Sequence, residues 1–492
     1  MNVALSYAVG YGIPIGTLLL ALVGMVLAMG AALAWPRHIV LGYVAVLMLF
    51  PMSSSYGLED AADLSIMYVK GTKTFFFSFL DMMIFGTWLM AVVYGRLLYK
   101  KREPLGPLMK FYLGFAIVFA GHVLVGFFEP RHIALLDFYG RGVINVFWQG
   151  MLVSLLLTVI RTEKDLKTFI VVMLVCTAGR EVFGMVRYVF LGGDPQNAYA
   201  NLENLKVKIT FWDINDSILA AFALAYCVWK LLAERVQGMW ERSGYVLLSL
   251  LAALTAVLSA RRTAQAGLLL GILVLGWLLP RGRRWPIILA LAVLAPMAAI
   301  VTSARTEGTA TLIQKVLIDV KTRVNADPRR SRFYELETAW RTVRENPLFG
   351  VGPAGSFKVD SHFGLEYHRG QYDFVHSGFG HVLLKTGLVG LLLFVGLFLS
   401  YLSFVYRHWR ILHGQHQALV AASVVTFAAQ MPNMLFGTPV GEIRTMMVLG
   451  LVFAIPFLVV GLTHRPVATA KAQSPVRLPT GSVQLARAGR TR

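Results

Sequence analysis

The chain has 492 residues, 57% hydrophobic and only 15% charged, with a mean hydropathy of +0.63. Those values exclude an ordinary soluble globule and a disordered chain, and repeated apolar runs near twenty residues mark a polytopic membrane protein. The net charge of +20 does not signal a nucleic-acid partner, because the basic residues sit in short clusters between apolar runs, the positive-inside pattern.

The opening, MNVALSYAVGYGIPIG, lacks the basic n-region of a cleaved signal peptide, so the first span is expected to be retained. Apolar runs fall at 12–35, 38–51 (a short one), 74–95, 107–128, 142–160, 168–191, 214–233, 244–260, 263–280, 285–303, 377–406, 416–436 and 445–463. They predict an all-α polytopic membrane protein of about 12–13 transmembrane helices. Basic clusters at 95–102, 161–167, 281–284 and 407–410, with the tail from Arg465, are assigned to the cytoplasm. The loops 52–73, 129–141, 192–213, 304–376 and 437–444 then lie outside, as does the N-terminus.

Four segments follow: transmembrane helices with short loops over 1–303, one large outer loop over 304–376, more spans over 377–463, and a disordered cytoplasmic tail over 464–492. Cys176 and Cys227 both lie within apolar runs and support neither a disulfide framework nor a metal site. No internal repeat stands out.

Ionisable residues in spans are costly and point to function or to paired packing. Asp81 interrupts FFFSFLDMMIFGTW and is read as a helix-pairing residue. Arg180 and Arg187 occupy the outer half of their span, and Glu181 beside Arg180 offers a buried partner. Asp213, Asn215 and Asp216 open the next span; one of them suits a helix N-cap, but capping does not explain three. Arg261 and Arg262 stand at an outer junction with almost no loop, where positive-inside statistics disfavour them. A lipid phosphate would explain them; so would snorkelling to ordinary headgroups.

The outer loop carries SRFYELETAWRTVREN, an amphipathic helix with Phe333, Leu336, Trp340 and Val343 on one face, then the Gly/Pro-rich turn PLFGVGPAGSF. Trp340, Phe363 and Tyr372 are read as core of this loop rather than as platforms for a sugar. The loop ends at His376, where a span with His381 and Lys385 in its first turns begins. A snorkelling or packing role competes with catalysis for these groups.

Placed on the topology, Arg180, Arg187, Arg261, Arg262, the large loop and His376 share the outer half. Guanidinium grips phosphate bidentately, and imidazole is suited to taking a proton from an attacking hydroxyl. Together they describe a transferase whose donor is a lipid with a phosphate leaving group. No Asp-x-Asp pair or His/Cys spacing indicates a metal, so arginine would stabilise the leaving group. The alternative is a multi-span transporter or flippase of envelope lipids or glycans; such proteins usually show repeats and broken helices at mid-membrane.

With these residues in view, the chain resembles the O-antigen ligase and polymerase superfamily of bacterial envelope glycosyltransferases. SRFYELETAWRTVRENPLFGVGPAGSF is similar to that family's arginine-led helix and Asn-Pro-Leu-x-Gly-x-Gly turn. VHSGFGHVLLKTGLVGLLLF is similar to its His-Asn motif leading into Gly-x-x-Gly, with Gly387 eleven residues after His376. LSARRTA resembles its Ser-Arg junction, and WDINDSILA its Asp-x-Asn-Asp element. The likeness is specific over about 200–390 and architectural before that.

The resemblance implies a GT-C-like fold with one large periplasmic loop in the bacterial inner membrane. It also implies an undecaprenyl-pyrophosphate-linked glycan donor, an acceptor glycan or lipid, surrounding membrane lipids, and transfer without metal or cofactor. Carried over by position, His376 is the base or acceptor-positioning residue, and Arg262 with Arg261 holds the pyrophosphate, to which Arg180 and Arg187 add. Arg332 lies on the donor side, and Asn346, Pro347, Gly350 and Gly352 shape the cleft with Asp213, Asn215 and Asp216. Ser377 replaces the family's Asn and Lys385 stands near its Glu, departures that leave ligase, polymerase and protein O-glycosyltransferase open, with a lean to the exopolysaccharide type.

Overall fold

The computed structural model describes residues 34–50, 79–98, 107–128, 142–193, 214–234, 238–259, 261–305, 332–353, 355–358, 371–372, 375–437 and 439–463, with residues 26, 30, 210 and 236. Its helices are α1 (Pro36–Leu49), α2 (Phe79–Leu98), α3 (Pro107–Phe128), α4 (Ile144–Val159), α5 (Glu163–Phe190), α6 (Ile214–Ala233) and α7 (Met239–Leu258). They continue as α8 (Arg262–Leu278), α9 (Trp285–Arg305), α10 (Arg332–Glu345), α11 (Gly378–His408), α12 (Gly414–Phe436) and α13 (Ile443–Thr463). Among the described residues, 7 helices are long and apolar enough to cross a membrane, and five shorter apolar helices join them. The protein is an all-α, multi-pass membrane protein. The expected run at 12–35 and the tail at 464–492 lie outside the described residues, apart from residues 26, 30, 34 and 35.

Contacts at the helix ends sort the bundle into two ends. At one, Arg37 of α1 donates to Asp165 at 2.6 Å and His416 of α12 meets Glu163 of α5 at 3.1 Å. Thr162 and Asp165 also form a reciprocal capping box that starts α5. Arg283 donates to the Leu232 carbonyl at this end, and Trp35, Trp240, Trp277 and Trp285 stand exposed beside the basic residues. Exposed tryptophans next to arginines are what a membrane–water boundary selects. At the other end, Arg180 donates to the Leu49 carbonyl, Asn145 to that of Val440 and the Thr210 amide to that of Leu258.

The core lies around α13, 89% of whose apolar window is buried, against 17% for α3, which turns Leu113, Ile117 and Leu124 outward. α6, α8 and α12 pack face to face. Gly267 lets the Ala429 backbone approach so closely that a Cβ would overlap its carbonyl, and Gly271 one turn on faces Ala429 and Val425. Small residues at helix spacing allow such an approach within lipid. An aromatic cluster of Phe398, Tyr401, Phe427 and Phe453 joins α11, α12 and α13. Within it, Tyr401 meets Ser423 at 2.6 Å, and Ser423 donates to the Val452 carbonyl at 2.7 Å.

One expected span differs in kind. The run at 377–406 reads as one membrane helix, yet Gly387 (φ 64°, ψ −163°) breaks α11 into halves 378–386 and 388–408. Phe379 of the first half packs on Phe394 and Phe398 of the second, with ring centroids at 5.9 and 5.8 Å. In a straight helix their α-carbons would stand about 22 and 28 Å apart. The first half therefore folds back along the second as a re-entrant hairpin. Gly390 completes the reversal, because any side chain there would overlap Thr386.

Candidate active site

The break at Gly387 leaves backbone groups without helical partners, and the turn at 346–352 supplies them. The amides of Leu388 and Val389 donate to the carbonyls of Pro347 and Leu348 at 2.9 and 3.1 Å, and the Val351 amide donates to Leu384 at 2.9 Å. Gly350 (φ 68°) and Gly352 (φ 83°) shape the turn, and a side chain on Gly350 would press on the Leu384 carbonyl and the Gly387 amide. Asn346 accepts the Gly350 amide at 2.8 Å through its carbonyl. The buried Lys385 ammonium donates to the Gly355 carbonyl. His122 of α3 flanks the same turn, its ring edge-on to Phe349 with centroids 6.3 Å apart.

The turn, α10 and the first half of α11 share a small core of Ala339, Val343, Phe357, Val375 and Leu384. Beside it Phe357–Lys358 and Gln371–Tyr372 form a short antiparallel pair with Phe357 opposite Tyr372. The buried face of α10 is thus Glu335, Ala339 and Val343, flanked by the part-buried Leu336, rather than the expected one through Trp340. Trp340 is 46% exposed, with the Arg344 guanidinium 5.9 Å from its ring centre. It is not core. Phe363 and the side chain of Tyr372 lie outside the described residues.

His376 lies where this core meets the re-entrant half-helix. Its amide donates to Glu335 at 3.0 Å, and its Nδ1 lies 3.1 and 3.0 Å from the two Glu335 carboxylate oxygens. The Glu335 side chain is 4% exposed and that of His376 31%. The imidazole is half open while its partner is sealed. Ser377 caps the half-helix, its hydroxyl accepting the Gly380 amide at 3.1 Å. His381, one turn on, is buried.

The expected arginine and carboxylate positions divide. Arg180 grips Asp216 through three contacts of 2.8 to 3.0 Å, both side chains being nearly sealed. Its partner is Asp216 rather than the neighbouring Glu181, which instead accepts from Thr255. Asp216 accordingly reaches across to α5 instead of capping α6. Arg444, which sequence reasoning passed over, joins them 4.0 Å from Asp216 and donates to the carbonyls of Leu47 and Met48 at 2.8 and 2.7 Å. Arg180 adds Leu49, so the two guanidiniums satisfy the last carbonyls of α1, groups a helix cannot pair internally.

Arg187 is buried about two turns nearer the same end, its guanidinium 5.9 Å from the centre of the Phe183 ring. Asn215 is buried at the start of α6. Arg261 and Arg262 stand half-buried at the α7–α8 junction, with Arg262 opening α8 and Gln265 donating back to the Val257 carbonyl at 3.0 Å. Asp213 and the Arg332 side chain lie outside the described residues, although Arg332 opens α10. Among the described residues no three His, Cys, Asp or Glu side chains converge as a metal group.

The two clusters flank the α12–α13 connection: Gly378 packs on Met434 and Val440, and Arg444 follows four residues later. The end of the bundle opposite the exposed tryptophans thus carries an oriented histidine, a backbone-filled turn, two half-buried arginines and a sealed Arg–Asp–Arg cluster.

A search of curated proteins found no match to the chain. Residues 247–395 match the family model described as O-antigen ligase, a segment that contains Arg261, Arg262, Glu335, the 346–352 turn, His376 and Gly387.

Proposed function

We propose that the protein is a membrane glycosyltransferase that transfers or polymerises a glycan from an undecaprenyl-pyrophosphate-linked donor to an acceptor hydroxyl. The reaction takes place at the periplasmic face of the bacterial inner membrane. One observation carries this reading: His376, half open and braced by a buried carboxylate, sits at the start of a re-entrant half-helix within the matched segment. The opposite end holds the basic clusters, which the positive-inside rule assigns to the cytoplasm.

In the proposed step the acceptor oxygen attacks the anomeric carbon of the lipid-linked sugar. The new carbon–oxygen bond forms as the bond to the pyrophosphate oxygen breaks. The electron pair leaves on the lipid pyrophosphate, and the acceptor's proton passes to His376 as general base. Arg261 and Arg262, at the α7–α8 junction, neutralise the departing charge without a metal; Arg187 and Arg332 contribute from the same end. Arg180, held bidentately by Asp216, orders the scaffold instead. A single direct displacement inverts the anomeric centre.

A second reading, a lipid or glycan flippase, draws on the broken helix at Gly387, since broken helices recur in transporters. Here the turn 346–352 fills the break with backbone partners, which favours a fixed scaffold. Replacing His376 with Ala in the native strain, with membrane expression checked and envelope glycans stained on a gel, tests the enzyme. Loss of polymer or capped lipid at normal expression is the expected result. An unchanged pattern, together with lipid flipping by the purified protein in liposomes, would replace the enzyme reading with the transporter.

A further inference from the structure

The Glu335–His376 contact carries more than proximity. A carboxylate only accepts hydrogen bonds, so an imidazole Nδ1 lying 3.0 and 3.1 Å from both of its oxygens must carry the proton. In the neutral imidazole the other ring nitrogen, Nε2, is then the acceptor. The same carboxylate accepts the His376 amide at 3.0 Å, which fixes the backbone as well as the ring. α10 and the re-entrant half-helix share one small core, so neither partner drifts independently of the other.

We propose that Glu335 is a positioning residue that locks His376 in the tautomer whose Nε2 receives the acceptor's proton and stabilises the imidazolium once it forms. This rests on His376 being the base, and it names which ring nitrogen works and what holds it. Glu335 itself touches no substrate. The proton moves from the acceptor hydroxyl to Nε2 and the Nδ1 proton stays in place; a buried carboxylate beside a catalytic histidine acts in this way elsewhere.

Glu335→Gln is the informative variant. It is nearly isosteric, and its amide oxygen satisfies the His376 backbone amide. That turns its NH2 group toward Nδ1 and forces the proton onto Nε2, the wrong tautomer. The assay follows consumption of the lipid-linked glycan extracted from a strain deleted for this chain, titrated into membranes carrying each variant. For Glu335→Gln the expected result is a kcat lower by about a hundredfold or more, with KM for the lipid-linked glycan and the melting temperature in detergent close to wild type. Glu335→Asp keeps the charge and is expected to recover part of that loss.

His376→Ala run alongside separates two failures. An active His376→Ala protein would remove the base reading itself. An inactive His376→Ala protein with Glu335→Gln turning over within about threefold of wild type would overturn the positioning role alone. Falls in activity matched by falls in melting temperature for both Glu335 variants would make the contact a packing feature, and would also overturn it.

Discussion

Phe379 lies edge-on against Phe394 with their ring centroids 5.9 Å apart, although they stand fifteen residues apart in a run that the sequence pattern reads as one span. Only a reversal at Gly387 permits this, and it lays the half-helix that His376 leads along the second half of α11. Cysteines at 379 and 394, in a chain whose Cys176 and Cys227 are replaced by Ala, are therefore expected to be joined by a short bismaleimide in native membranes. A straight helix would hold the two positions about 22 Å apart, beyond its reach. Mass spectrometry of the digest reads the result, and failure to join them while each single cysteine labels would remove the hairpin.

Much of this bundle was legible because hydropathy is local. The runs at 107–128 and 214–233 coincide with α3 and α6, and the other runs that have a described helix differ from it by a few residues at the ends. What was hidden depends on contacts far apart in sequence. Residues 378–386 carry His381 and Lys385 but run into the apolar stretch after them with no proline or polar loop between, so the hydropathy pattern reads as one span; the glycine pair Gly387 and Gly390 is a local sign of the reversal. Glu335 reads as a solvated carboxylate on an amphipathic helix until His376, 41 residues on, buries it. Arg444 follows Glu442 in a short polar stretch between two apolar runs and looks like loop charge, whereas the α1 carbonyls it satisfies lie almost four hundred residues upstream.

Gly387 should tolerate no side chain. Its positive φ disfavours any L-residue, and a Cβ would overlap the Leu348 carbonyl that the turn places there. Gly387→Ala thus combines backbone strain of about 1–3 kcal/mol with a backbone clash, and detaches the turn from the break. The expected outcome is a melting temperature in detergent well below wild type and faster trypsin cleavage at Lys358, just past the turn. A wild-type melting curve would mean that the turn is not seated in the helix break.

The α8–α12 contact predicts an order between two neighbouring glycines. A Cβ on Gly267 would overlap the Ala429 carbonyl, which is backbone and cannot turn aside; on Gly271 it would meet the Ala429 Cβ and Val425 Cγ1 at 3.2 and 3.3 Å. Gly267→Ala is expected to destabilise by about 2–3 kcal/mol and Gly271→Ala by about 1 kcal/mol or less, within the range of overpacked cores. Thermal unfolding of the two purified variants tests the order, and equal shifts would contradict it.

The Arg180–Asp216 pair makes the sharpest energetic prediction, because both side chains are nearly sealed and Arg444 stands 4.0 Å away. Asp216→Leu takes from two buried guanidiniums the carboxylate that both face. Removing one partner of a buried pair costs about 3–5 kcal/mol, whereas replacing both with apolar groups of similar size is often nearly neutral. Arg180→Met with Asp216→Leu should therefore reach the membrane at higher levels than Asp216→Leu alone, a reversal of simple addition. Arg444 keeps the Leu47 and Met48 carbonyls satisfied in the double variant, so α1 retains its capped end. If the paired variant also turns over lipid-linked glycan near the wild-type rate, Arg180 is scaffold. If it folds but binds the donor weakly, with KM raised and kcat unchanged, the guanidinium reaches the pyrophosphate, and the pair would have to open during turnover.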